Sequence, residues 1–220
     1  MPIFYMILSG LFSALMRIMV RLAENVSFLA STFFRSMIVL LICFSAFKAS
    51  KEDFKILGQK KNFTRLLFRG LFGALGLCGF YYSLLALPYT EAITLQYLSP
   101  VFTMLFGYML FNQKVRWFHF AAAWVCFSGA SILIAAQHQH NSFGGFNIDH
   151  LVAIAAAACA GIAYNIIASI KKDEPSWVVM NYLGLFTLVI STAGLVGTQP
   201  GIPSMYDSLM LSLSGLAAFL

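Results

Sequence analysis

The sequence predicts an all-α integral membrane protein, a multi-pass helical bundle, and three observations lead to that prediction. Hydrophobic residues fill 60% of the 220 positions, and only 10% are charged, whereas a soluble domain carries about 25% charged residues. A chain this short has no interior large enough for so many apolar side chains, so lipid must surround most of them. The alternating segments of about ten residues that are typical of membrane β-barrels are absent from the sequence.

The apolar residues form runs that are long enough to cross the hydrocarbon core, which takes about 20 residues in an α-helix. Seven such runs are complete, and an eighth begins near Ser208 and continues to Leu220. In chain order, the seven predicted spans are Ile3–Ala23, Ser27–Phe47, Leu66–Leu87, Pro88–Phe111, Trp117–Ala136, Leu151–Ile170 and Trp177–Val196.

The positive charges lie on one side of these spans if the spans alternate in direction. Eleven of the 14 Lys and Arg residues fall between spans two and three, four and five, or six and seven, with Arg69 just inside the third span. The connections on the other side contain none. Because cytoplasmic loops carry the excess of Lys and Arg, we expect a cytoplasmic N-terminus. The charges form no basic stripe with interleaved aromatics, so nucleic acid is not an expected partner.

The chain also shows a faint internal repeat in hydropathy. A shift of about 148 residues superposes the sixth and seventh spans on the first and second. Five spans per unit is an odd number, so a second copy would enter the membrane from the opposite face. We therefore expect inverted five-helix repeats, the first over residues 3–136 and the second over 148–220, where it would be truncated.

Two arginines within the predicted spans are the first candidates for function, because a charge at mid-bilayer costs at least about 2.5–3.5 kcal/mol. At helical rise, Arg17 lies about 9 Å and Arg35 about 12 Å from the outer ends of neighbouring antiparallel spans. We expect both to line one outward-facing chamber and to bind an anionic substrate group such as a carboxylate. Glu91 would be their counter-ion. The alternative is structural, with Arg35 paired to Glu91 or to backbone carbonyls.

The fourth span carries Gln96, Ser99 and Thr103 on one face, beside Pro100. Proline removes a helical hydrogen bond and frees a carbonyl, and such breaks near the midplane are favoured binding points in transporters. In the second repeat, Asn165 aligns with Arg17 under the shift of about 148 residues. We expect these polar groups to bind substrate. The alternatives are a kinked packing helix and helix–helix hydrogen bonding.

Other polar or small residues favour packing or solvation. Glycines recur every third residue in the third span, which predicts a spiral strip for close helix packing. The outer-loop residues His138, His140, Asp149 and His150 do not fix a tetrahedral metal site. No nucleophile–base pair, phosphate loop or carboxylate dyad occurs in the sequence. We therefore expect no enzyme activity, no cofactor and no metal. The glycines of the strip are Gly70, Gly73, Gly76 and Gly79.

Several short motifs form a familiar series along the second to fifth spans. In chain order they are Phe33-Phe34-Arg35, Arg69-Gly70, Phe80-Tyr81-Tyr82-Ser83-Leu84, Leu87-Pro88 with Ala92, Ser99-Pro100-Val101-Phe102-Thr103, and Gly129. Together they resemble the EamA-type repeat of the drug/metabolite transporter superfamily. The resemblance covers Ile3 to about Ile134 well and the rest more loosely. One departure is Asn112-Gln113, where the family commonly has Gly-Glu after the fourth span.

The resemblance implies ten helices in two inverted repeats, cytoplasmic termini, a central substrate cavity and a bacterial inner membrane location. Family members move amino acids, nucleotide-derived metabolites, sugars or drugs, and some relatives import S-adenosylmethionine. The implied function is secondary transport of a small metabolite that is amino-acid-like or nucleoside-derived, and anionic or zwitterionic. The alternative is a truncated, non-transporting membrane protein, or a half-carrier that needs a partner such as a second copy in a homo-oligomer.

Overall fold

A computed structural model describes residues 27–49, 58–111, 147–170 and 174–198, together with single positions within 7–19 and 117–132 and residue 211. Every regular element in these residues is helical. Helical positions also occur within 7–19 and 117–132, where the first and fifth spans are predicted. Arg17 and most of the predicted eighth span lie outside the described residues.

The described ranges contain the helices α1 (Phe28–Ala49), α2 (Phe63–Ala86), α3 (Tyr89–Gln96), α4 (Ser99–Phe111), α5 (Ile148–Ile170) and α6 (Ser176–Thr198). A 3₁₀ turn over Lys60–Asn62 leads into α2. Five segments are long and apolar enough to cross a membrane, with α3 and α4 counting as one. They match the predicted second, third, fourth, sixth and seventh spans within a few residues. The prediction of an all-α, multi-pass membrane protein is therefore confirmed.

Prolines mark two of the helix boundaries. Leu87, between α2 and α3, is extended with φ −104° and ψ 159°, which is the conformation that a following proline favours. Pro88 then caps the start of α3, where the first N–H groups have no partner within the helix, so its missing N–H removes no helical bond. Pro175 precedes α6 in the same way. These short connections make α2 and α3 antiparallel, and α5 and α6 likewise.

The helix α2 lies at the centre of the described bundle. It packs most extensively against α5 and α6, while α1 packs mainly on α6 and α4 mainly on α5. One core cluster includes Phe80, Tyr81 and Leu84 of α2. A second cluster joins Leu66 to residues of α5 and α6. Large apolar side chains cover the outer surface of the helices, as expected where lipid is the solvent. Examples are Leu41, Phe44, Tyr108, Met109 and Val189.

The glycine strip of α2 makes the closest helix contacts, and its packing role is confirmed. A Cβ on Gly70 would lie 2.6 Å from the Phe186 ring of α6. A Cβ on Gly76 would lie 3.0 Å from the backbone nitrogen of Ala160 in α5. Because steps of three residues fall short of a full turn, the strip faces α6 first and α5 later.

The two ends of the bundle differ in charge. Lys48 lies in the last turn of α1 and Lys60 and Lys61 lie just before α2, so we call this the lysine end. Glu91 and Asp149 lie in the first turns of α3 and α5, and we call this the acidic end. The helices therefore alternate in direction as the charge pattern predicts.

Candidate functional site

Arg35 lies within α1, seven residues or about 10 Å from the acidic end of the helix. Its Nη1 donates a hydrogen bond of 3.3 Å to Oη of Tyr81 in α2. Its guanidinium carbon also lies 5.8 Å from the centroid of the Tyr81 ring, within cation–π range. Tyr81 is fully buried. A neutral phenol therefore holds this cation against the central helix.

Arg35 is one wall of a small cleft between α1, α2 and α6. The enclosed volume is about 20 Å³, and a single water needs about 10–15 Å³ on the same measure. The described conformation is thus closed around a space for one water, much smaller than a metabolite. The cleft is lined by Arg35, Ser36, Val39, Leu77, Met180, Leu183, Gly184 and Thr187.

The fourth span is broken where the sequence predicts a break. The helix α3 ends at Gln96 and α4 begins at Ser99, about 12 Å from the acidic end at helical rise. The N–H of Tyr97 is shared between the carbonyls of Ile93 and Thr94, at 3.1 Å each. Pro100 follows and has no N–H to continue the helical ladder.

A buried polar group lies just after this break. The Ser99 hydroxyl is buried and has no hydrogen-bond partner, whereas its carbonyl accepts a bond of 2.8 Å from the Thr103 hydroxyl. Asn165 of α5 is almost fully buried, and its Nδ2 donates to the Thr103 carbonyl at 2.7 Å and to the Gly161 carbonyl at 3.0 Å. Helix–helix hydrogen bonding is therefore what the structure shows for Asn165, and substrate binding there stays a prediction.

Glu91 has a different partner from the one the sequence analysis expects. Its carboxylate lies 3.3 Å from Nε2 of His150 in α5. The backbone N–H of Asn147 donates to Nδ1 of the same ring at 3.3 Å, so Nε2 carries the proton and donates to Glu91. Among the described residues Glu91 forms no ion pair with Arg35. Arg35 is held by Tyr81 of α2, whereas Glu91 is held by His150 of α5.

Further side-chain hydrogen bonds join neighbouring segments at both ends of the bundle. At the acidic end, the Tyr82 hydroxyl donates to Asp149 at 2.7 Å. At the lysine end, one oxygen of Glu174 accepts from the Gln59 N–H at 2.9 Å and from Nδ2 of Asn62 at 3.1 Å. Sequence reasoning missed Glu174, although its place between Lys172 and Pro175 marks it as a loop acid.

The predicted site residues that the structure describes lie in two groups, and the chamber predicted between Arg17 and Arg35 stays a prediction because Arg17 lies outside the described residues. Arg35 lies in the cleft on the side of α2 that faces α1 and α6. Ser99, Thr103 and Asn165 lie where α4 meets α5, and half-buried Gln96 ends the helix before them. Within the described ranges no group of three His, Cys, Asp or Glu side chains could hold a metal ion.

Comparisons with known proteins agree with this architecture. The sequence model of the EamA-like transporter family matches residues 1–135. The pseudopaline exporter CntI of Pseudomonas aeruginosa (strain UCBPP-PA14) is 24% identical over 157 residues, which are 71% of this chain and 53% of the exporter. An uncharacterized transporter of Helicobacter pylori (strain J99) is 24% identical over 221 aligned residues, covering 96% of this chain and 70% of that protein.

The chain thus spans about half the length of the exporter that it matches. A solved crystal structure shares the fold with a TM-score of 0.63 at 21% identity, over 94% of this chain and 74% of the other. The family and the transporter-named relatives support membrane transport of a small molecule. Because the family match covers more than half of the sequence, and the helices match its membrane architecture, the chain belongs to the EamA-like transporter family.

Proposed function

We propose that the chain is a secondary carrier for a small metabolite, amino-acid-like or nucleoside-derived, that bears an anionic or zwitterionic group. Family membership supports a carrier rather than an enzyme. The observation that carries the finer proposal is Arg35, a cation at the wall of an intramembrane cleft. Its partner in the described structure is a neutral phenol, so its charge is available for an anionic group of the substrate.

The chemistry of the guanidinium group supports a carboxylate as the recognised group. Arginine offers five N–H donors in a planar fork that matches a carboxylate in two-point fashion. One donor of Arg35 is used by Tyr81. The bond fixes the side chain in the cleft, which reduces the entropy that substrate binding would otherwise cost. We therefore propose Arg35 as the substrate-binding cation of the outer half.

The membrane location and orientation belong to the same proposal. The positive-inside rule places the lysine end in the cytoplasm, and with it the N-terminus. A bacterial inner membrane is the proposed location, since the relatives are bacterial transporters. The family match ends at residue 135, close to the predicted end of the first five-helix repeat, which supports the proposed inverted pair.

Flux across membrane vesicles tests the proposal. Vesicles that contain the chain are compared with empty vesicles for a panel of labelled amino acids and nucleosides, with pseudopaline added because a relative is named for its export. Arg35→Ala should lower the flux of the transported compound about tenfold or more, since charge-assisted hydrogen bonds contribute about 1.5–3 kcal/mol. Arg65→Ala, an exposed arginine near the lysine end, is the matched control.

Two results count against the proposal in different ways. Equal flux in filled and empty vesicles for the whole panel would contradict transport of these classes by the chain alone. Full flux in Arg35→Ala, with a verified substrate, would remove Arg35 from substrate binding and leave transport intact.

A half-carrier is the second candidate, and the size of the cleft favours it. Ligand pockets for small molecules are typically about 300–1,000 Å³, far above the volume enclosed beside Arg35. A second copy of the chain could complete a larger cavity, whereas a single-chain carrier would open the cleft by helix movement. Chemical crosslinking in native membranes separates these cases, because the half-carrier predicts a dimer wherever flux is observed.

A further inference from the structure

A second arginine is buried deeper than Arg35 and has fewer partners. Arg69 of α2 is only 5% exposed, and its Nε and Nη1 atoms are buried with no hydrogen-bond partner among the residues that the structure describes. Its guanidinium group lies over Gly73, where Nη1 occupies the space that a Cβ would need. The side chain therefore points away from the lysine end, toward the membrane centre.

The depth of this group makes it unusual. Gly73 is seven residues, or about 10 Å at helical rise, beyond Leu66, where the predicted span begins, so it lies well inside a hydrocarbon core about 30 Å thick. Arginines near a helix end ordinarily extend to the nearest interface. Arg69 extends the other way and leaves donors of a buried cation unpaired, which is costly. A cation in this state marks a functional site by default.

None of the described carboxylates forms an ion pair with Arg69, although one oxygen of Glu174 at the lysine end is also buried without a described partner. Glu174 bonds to Gln59 and Asn62 at the lysine end. Glu91 bonds to His150, and Asp149 bonds to Tyr82, at the acidic end.

Arg69 also lies next to the cleft that contains Arg35. A Cβ on Gly73 would be 2.9 Å from Cδ1 of Leu183, and Leu183 itself lines the cleft. Leu77, one turn beyond Gly73, lines it too. Tyr81, which holds Arg35, is eight residues or about 12 Å beyond Gly73 along the same helix. Arg35 thus lines the cleft itself, and the Arg69 guanidinium lies behind it, beside the lining residue Leu183.

We propose that Arg69 is an anion-binding residue, which takes the carboxylate of the transported metabolite on the lysine-end side of the cleft. Arg35 takes the same group on the acidic-end side. The cleft is the passage that must widen for the group to move. The identity of the ligand as a transported metabolite rests on the proposed function, whereas anion binding by Arg69 does not.

The test uses acetate as the probe and needs no transport. The full chain is purified in detergent micelles, and its thermal unfolding midpoint is measured in sodium acetate and in sodium chloride at equal concentration. We expect acetate to raise the midpoint by about 2 °C or more above chloride. The difference should fall by half or more in Arg69→Met, where Arg35 alone can still bind acetate, and should be unchanged in Arg65→Met, the exposed arginine one turn earlier.

A purely structural arginine gives a different pattern. If Arg69 only braced the helices, Arg69→Met would lower the midpoint without acetate, whereas we expect it unchanged or higher because an unpaired buried charge is removed. The inference is overturned if Arg69→Met lowers the unfolding midpoint in the absence of acetate. It is also overturned if acetate raises the midpoint equally in wild type and Arg69→Met. Should Arg69→Met not fold, Arg69→Lys takes its place, and its acetate effect should fall by half or more since the fork is lost.

The outcomes also separate this inference from the proposed function. Acetate binding through Arg69 without flux of any panel compound contradicts the carrier proposal alone. Flux with no Arg69-dependent acetate effect contradicts the anion site alone.

Discussion

Replacing Gly161 by alanine should force α4 and α5 apart. A Cβ at this position would lie 2.8 Å from the Phe102 Cβ and 2.9 Å from the Thr103 backbone nitrogen, whereas ordinary contact begins at 3.4 Å. The Thr103 contact is backbone and cannot rotate away, so the helices must separate by about 0.5 Å at Gly161. The Asn165 bond to the Thr103 carbonyl, now 2.7 Å, would then stretch to about 3.2 Å, the end of its normal range.

The size of the effect is set by comparison with Gly129→Ala. Gly129 is also helical, and nothing lies within 4 Å of its Cβ position. Both substitutions gain about 0.5–1 kcal/mol of helix propensity, so the difference between them isolates the overpacking cost of about 1–3 kcal/mol. In a chain of this length that difference lowers the unfolding midpoint of Gly161→Ala by about 2–12 °C relative to Gly129→Ala.

Tryptophan fluorescence during heating in detergent micelles measures both midpoints. The wild-type chain is the common reference, and Gly129→Ala should melt at or slightly above it. If Gly161→Ala melts together with Gly129→Ala, the backbones of α4 and α5 are not in contact at this point, and the reasoning is wrong.

Three further predictions concern the lysine end and the cleft. Gly58→Ala should lower stability by about 1–2 kcal/mol in denaturant titration, because Gly58 has φ 68° and a left-handed conformation disfavours a Cβ; an unchanged midpoint would contradict it. Glu174→Ala should speed trypsin cleavage after Lys61, measured by mass spectrometry, because the two bonds that hold this turn are lost; an unchanged rate would show that they do not hold it. Leu183→Phe should fill the cleft and abolish flux in vesicles, whereas Leu185→Phe on the lipid-facing side should not; equal flux in both variants would exclude the cleft as the passage.

Hydropathy predicts the spans well because lipid imposes one requirement on every segment that crosses it. The errors lie at polar helix ends. The sixth span is predicted from Leu151, whereas α5 begins at Ile148. Asp149 and His150 lie in its first turn, where side chains reach the interface, so a hydropathy window excludes residues that are helical.

Depth along a helix is readable from the sequence, whereas the order of helices around the bundle is not. Helical rise places Arg35 at the level of Tyr81, and the two are in contact. The same arithmetic separates Glu91 from Arg35 by about 7 Å in depth, a distance that an arginine side chain can span, so depth alone does not exclude their pairing. It could not have named His150, which lies 59 residues away along the chain. For the same reason the sequence does not show that Arg35 lies between α1, α2 and α6 while Ser99 and Asn165 lie where α4 meets α5.

The sequence does not single out Arg69 as a functional candidate, because the excess of positive charge in cytoplasmic loops already explains it. It follows a cationic loop and was counted with the charges of that loop. Leu66, Leu67 and Phe68 separate it from Arg65, which is nearly a full turn of apolar residues. Gly73, one turn further on, provides the space that the guanidinium group occupies. The apolar residues before Arg69 and the glycine one turn after it together predict a guanidinium group that points into the membrane.

The four glycines of α2 also affect how the bundle could deform. At Gly70, Gly76 and Gly79 the central helix offers no side chain that would interlock with its two neighbours, and contact is made by bare backbone, whereas the Arg69 guanidinium covers Gly73. Such a surface holds its neighbours close but opposes sliding and rolling only weakly. A change in tilt between α5 and α6 would therefore take place at the strip. The helix α2 would then be the axis about which both neighbours rotate.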